Sequence, residues 1–70
     1  MKIKFNGNTL TIDDNFSLFD FLMAQASAQD FSLDASITAV NLQFVHKEDY
    51  SRYTLKEGDD IEFLTAVVGG

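Results

Sequence analysis

One helical stripe runs through a chain whose other apolar residues alternate, and that contrast restricts the fold more than any other feature. Leu18, Phe21, Leu22 and Ala26 recur at i, i+3, i+4 and i+8, the spacing of one face of an α-helix. Asp20, Gln25 and Gln29 are read as lying away from the stripe. Phe19 and Met23, four residues apart, are expected to widen the buried face, with room for one of them to stay partly exposed. Ser17 offers a capping hydroxyl, and Asp20, three residues on, supplies a shorter form of the capping box. The spacing predicts a helix from about Leu18 to Ala28.

On either side of the helix the period changes to two. Met1, Ile3 and Phe5 alternate with Lys2 and Lys4, Asn6-Gly7 supplies positive φ for a tight turn, and Leu10 and Ile12 resume the alternation, which predicts a β-hairpin. Asp13-Asp14-Asn15 ends it. Beyond the helix, residues 30 to 35 read as an irregular connection. Ser36 to Val40 reads as a third strand closed by the turn-tolerant Asn41, and Phe44-Val45 as a short fourth. Lys47 to Arg52 is polar and turn-rich, and Tyr53 to Leu55 returns apolar side chains to the domain. Lys56-Glu57-Gly58-Asp59-Asp60 forms a charged turn in which Gly58 relieves the backbone. Ile61 to Val67 is the longest β-rich run and is expected to be the central strand. The predicted class is α+β: a mixed sheet of four to five strands with one main helix packed across it, an order that a β-grasp satisfies.

Along the last strand Ile61, Phe63 and Thr65 alternate with Glu62, Leu64 and Ala66 across the two faces. Burying Ile61 and Phe63 with Phe5 and Leu22 leaves Leu64, Ala66 and Val68 on the open face. An apolar patch there predicts partner docking.

Seventy residues without Pro or Cys fill one core, so residues 1–70 are expected to form a single domain, with seven Phe residues supplying much of the burial. The lack of cysteine removes disulfides, thiol nucleophiles and thiolate metal sites, and suits a reducing compartment, with the cytoplasm as the default. Eleven Asp and Glu against five Lys and Arg give a formal charge of −6. Nucleic acid would be repelled and a basic partner surface favoured. No apolar run reaches the length of a signal core or a membrane span.

Side-chain chemistry is sparse. His46, the single histidine, stands in no metal or general-base spacing. Asp13-Asp14 and Asp59-Asp60 lack the alternating ligands of a calcium loop and read as turns. Ser27, Ser32 and Ser36 have no recognisable base, and no Gly-rich loop is followed by Lys and Ser or Thr, so neither catalysis nor ATP binding is expected of this chain.

What remains is the end. Val67-Val68-Gly69-Gly70 follows the last strand, and four extended residues reach about 13 Å. The chain is expected to end in a flexible tail over residues 67–70. Two glycines let the backbone thread a channel too narrow for side chains and bring the terminal carboxylate forward. A terminal Gly-Gly arises by chance in roughly half a per cent of chains, so beside this fold pattern it is informative.

Asn6 to Asn8, Ala39-Val40-Asn41, Val45, Leu55, Gly58-Asp59-Asp60-Ile61 and Val68-Gly69-Gly70 together resemble the ThiS-type sulfur carriers of thiamine biosynthesis, ubiquitin-like β-grasp proteins of similar length. The resemblance spans essentially the whole chain. It implies that an activating enzyme of the ubiquitin-activating adenylyltransferase type joins the Gly70 carboxylate to AMP, with ATP bound by that enzyme and no cofactor bound here. Sulfur then replaces AMP to give a thiocarboxylate, which thiazole synthase consumes. Val68, Gly69 and Gly70 would enter the partner's active site. Three alternatives stay open at this point: the small subunit of molybdopterin synthase, which shares the thiocarboxylate chemistry, a protein modifier, and a non-covalent ubiquitin-like interaction module.

Overall fold

Two pairs of residues with left-handed backbone set both hairpins. Asn6 and Gly7 have φ of 49° and 85°, and they join β1 (Lys2–Phe5) to β2 (Asn8–Thr11), with Phe5 opposite Asn8. Asn41 and Leu42 have φ of 53° and 68° and join β3 (Ser36–Val40) to β4 (Gln43–Val45), with Val40 opposite Gln43. Positive φ at both central residues is the signature of the two-residue turn whose twist matches that of the flanking strands. Asn and Gly adopt that backbone readily, whereas Leu42 does so against its Cβ.

The computed structural model describes residues 1–29 and 36–65, with backbone only at residues 28, 29 and 65. The irregular connection expected over 30–35 and everything expected of residues 66–70 lie outside the described residues. The last strand, β5 (Asp60–Thr65), occupies the middle of a five-stranded sheet of order β2-β1-β5-β3-β4. It runs parallel to β1 and antiparallel to β3, so the sheet is mixed, as a β-grasp requires.

One helix, α1 (Leu18–Gln29), crosses this sheet. Ser17 Oγ accepts the Asp20 N–H at 3.0 Å, as a helix cap should. Leu18, Phe21 and Leu22 are buried with Ile3, Phe5, Val40, Ile61 and Phe63 in one cluster. The Phe5 ring meets Phe21 edge-on at 5.2 Å and lies 6.2 Å from Phe63. The helix face is narrower than its apolar content suggests. Phe19 and Met23 are 40% and 44% exposed, because Phe19 lies about 100° around the helix from Leu18 and Met23 further still. Gln25, read as lying off the stripe, is half-buried instead: it follows Leu18 by close to two full turns, which returns it to the inner face.

The polar segment after β4 folds as a 3-10 helix, Lys47–Arg52, that buries Tyr50. The Tyr50 hydroxyl and Thr38 Oγ1 share a buried hydrogen bond of 2.8 Å, so neither polar group is left unpaired in the core. Residues 53–55 then brace the start of α1. Leu18 N–H donates to Tyr53 O at 2.7 Å and Leu55 N–H to Phe16 O at 2.8 Å, which places Leu55 in the core.

Candidate functional site

Alternation along the strands sends Lys2 and Lys4 of β1, Ile37 and Ala39 of β3, Phe44 of β4, and Glu62 and Leu64 of β5 to the face turned away from α1. That face is not uniform. Ile37 stands opposite Leu64 and Phe44 opposite Ala39 in the strand registers. Ile37 and Phe44 are each 56% exposed and Leu64 is 67% exposed. The three form an apolar area over β4, β3 and the outgoing end of β5, whereas Lys4 beside Asp60 makes the β1 side charged. Exposed apolar side chains gathered on one sheet face and bordered by charge are the kind of surface a partner can cover.

Leu64 therefore lies where alternation puts it, open to solvent and beside the end of the central strand. Ala66 and Val68, expected to share its face, lie outside the described residues, as do Gly69 and Gly70. Ile37 and Phe44 escaped the sequence-based search. Each looks like an ordinary strand residue until the order of strands is known, and only the antiparallel pairing of β3 with β5 brings Ile37 next to Leu64.

The entry to β5 is fixed by a buried carboxylate. Asp59 Oδ1 accepts from Asn41 Nδ2 at 3.0 Å and its Oδ2 from the Lys56 N–H at 2.8 Å, while the Asp60 N–H donates to Asn41 Oδ1 at 3.0 Å. Two segments far apart in sequence, Ala39-Val40-Asn41 and Gly58-Asp59-Asp60, thus meet in one network. Asp59 serves as a staple between the β3–β4 turn and the start of β5. Nearby, burial and then the negative charge of Asp59 push the Tyr53 phenol above its ordinary pKa of 10.0.

Of the other polar candidates, Ser32 lies outside the described residues. His46 is exposed, with its ring edge-on to Phe44 at 4.8 Å. Among the described residues no three His, Asp or Glu side chains come together in a group that could hold a metal ion, and no helix is long and apolar enough to cross a membrane. Among the described residues this arrangement presents an exposed apolar surface beside the end of the central strand.

Comparison with known proteins gives these features a context. The model of the ThiS family matches residues 3–70. The crystal structure of the thiamine biosynthesis protein ThiS from Geobacter metallireducens superposes with a TM-score of 0.80 at 28% identity, covering all of both chains. No curated protein matches the sequence significantly.

Proposed function

Since the chain belongs to the ThiS family and is a sulfur carrier of thiamine biosynthesis, we propose that its working group is the Gly70 carboxylate, loaded with sulfur by a partner enzyme. The observation that supports this most is the place of β5: the strand leading toward Val68-Gly69-Gly70 is the central one, and it carries Leu64 beside Ile37. A reactive end that continues from a strand held on both sides starts from a defined point next to a docking surface.

In the proposed cycle an adenylyltransferase of the ubiquitin-activating type docks on Ile37, Phe44 and Leu64, with Ala66 and Val68 continuing the contact. The Gly70 carboxylate attacks the α-phosphorus of ATP bound by that enzyme, and pyrophosphate leaves. A bare carboxylate resists nucleophiles because its charge is delocalised. The acyl adenylate has AMP as leaving group, so sulfur delivered by a donor at the sulfide level adds to the carbonyl carbon and AMP departs. Thiazole synthase passes the sulfur to its substrate in exchange for an oxygen, which restores the Gly70 carboxylate. The chain is a carrier and co-substrate in the cytoplasm. It holds no cofactor, because the phosphate-binding groups belong to the partner.

The test is intact-mass measurement after incubation with the activating enzyme, ATP and a sulfur donor, then with thiazole synthase. Exchange of one oxygen for sulfur, reversed by thiazole synthase, is the result this reading requires. A thiocarboxylate consumed only by a pterin-forming enzyme would assign the chain to molybdopterin synthesis. A sheet-mediated complex with no mass change would reduce it to an interaction module.

A further inference from the structure

β1 stops being a strand at Phe5, two residues too soon to pair with the second half of β5. The register Phe5↔Ile61 is the last in the parallel ladder, closed by the Asn6 N–H donating to Ile61 O at 2.8 Å. A longer β1 would next offer a carbonyl to the Phe63 N–H and an N–H to the Phe63 carbonyl. The backbone instead turns away at Asn6, whose φ is 49°.

The Asn6 side chain supplies both missing groups. Phe63 N–H donates to Asn6 Oδ1 at 2.7 Å, and Asn6 Nδ2 donates to Phe63 O at 3.1 Å. One primary amide thereby stands in for the carbonyl of one strand residue and the N–H of the residue two further on. Few residues fit this position: the side chain must carry an acceptor and a donor on a single short stem, and its own backbone must tolerate positive φ. On its other side, β5 is paired to β3 through Thr65.

We infer that Asn6 is a positioning residue for the tail: its amide clamps β5 at Phe63 and so fixes the direction in which the chain leaves the sheet relative to the Leu64 docking surface. Without the clamp β5 loses the two hydrogen bonds that tie the Phe63 backbone to Asn6 and gains freedom to splay. The docking surface would persist while the reacting end searches a larger volume. The inference rests on the carrier reading above, because a defined launch direction matters only if the terminus must reach a catalytic centre.

Asn6→Gly removes the amide and keeps a residue at ease with positive φ. Asn6→Asp keeps the acceptor but places a second oxygen against Phe63 O. Both variants and the wild type are assayed for acyl-adenylate formation with the activating enzyme and ATP, under conditions where circular dichroism shows each folded. The expected result for Asn6→Gly is a turnover number lowered roughly tenfold to a hundredfold at a nearly unchanged KM for the carrier, faster hydrogen exchange at the Phe63 amide, and Asn6→Asp intermediate. Wild-type turnover in folded Asn6→Gly would overturn the inference. So would a loss that appears in KM alone, since that is damage to docking. Failure of the wild type itself to form the adenylate would instead strike the carrier reading.

Discussion

Ile37 and Leu64 face each other across β3 and β5 on the open side of the sheet, and each exposes more than half of its surface. Cross-strand neighbours of this kind sit close enough to be covered by one partner group. Leu64→Asp is therefore expected to weaken binding to the activating enzyme at least tenfold, and Ile37→Asp to act similarly, without loss of the folded monomer. Because the two side chains share one contact, the double variant should lose less than the sum of the single losses. Isothermal titration of the three variants checks this. Wild-type affinity in Leu64→Asp would remove the open face from the docking model.

Leu42 offers a test of the fold. It occupies the second turn position at φ 68° and is almost fully exposed, so it bears the strain of a left-handed backbone with little burial in return. An L-residue there costs about 1 to 2 kcal/mol, and glycine adds back roughly 0.5 to 1 in chain entropy. Leu42→Gly should raise the unfolding free energy by up to about 1.5 kcal/mol, read as a higher urea midpoint at constant slope. A lower midpoint would mean that the Leu42 side chain makes stabilising contacts.

Tyr53 gives the stability curve an alkaline edge. Its phenol pKa is raised in the folded chain by burial and then by Asp59, so near pH 10 the unfolded chain releases the proton first. The contribution of the neutral phenol is thus fully present below pH 10 and is lost as pH rises through the folded value. Thermal midpoints should fall above pH 10 in the wild type and fall less steeply in Tyr53→Phe. Parallel curves for the two proteins would show that other groups set the alkaline limit.

Much of this architecture was legible because local chemistry and global packing agree. Asn6-Gly7 announces its turn, Ser17 its cap, and the β-rich composition of Ser36 to Val40 its strand, with bounds that the structure reproduces. Phe5, Leu22, Ile61 and Phe63 are buried as their periods require. The misses share one cause, namely information that is not local. Phe19 and Met23 are apolar but lie off the helix centre, while Gln25 lies on it, because angle around the axis outranks polarity in choosing what faces the sheet. Leu42 is at positive φ since the hairpin needs two such residues and Asn41 supplies one. Ile37, Phe44 and the Asn6 clamp became visible only when β5 was found between β1 and β3. At the candidate site, Leu64 could be read from alternation alone, whereas its neighbours depended on topology.

The central claim is the proposal that sulfur travels on the carboxylate of Gly70, five residues after the end of β5. Deleting Gly70 leaves a carboxylate but draws it back by one residue, about 3.5 Å, from the point where it must meet ATP. The deciding measurement is intact-mass analysis of the Gly70-deleted protein and the full chain, each incubated with the activating enzyme, ATP and a sulfur donor. The full chain should acquire one sulfur in place of one oxygen, and the deleted chain, equally folded, should form neither adenylate nor thiocarboxylate. Thiocarboxylate formation by the deleted chain at the rate of the full chain would contradict the account.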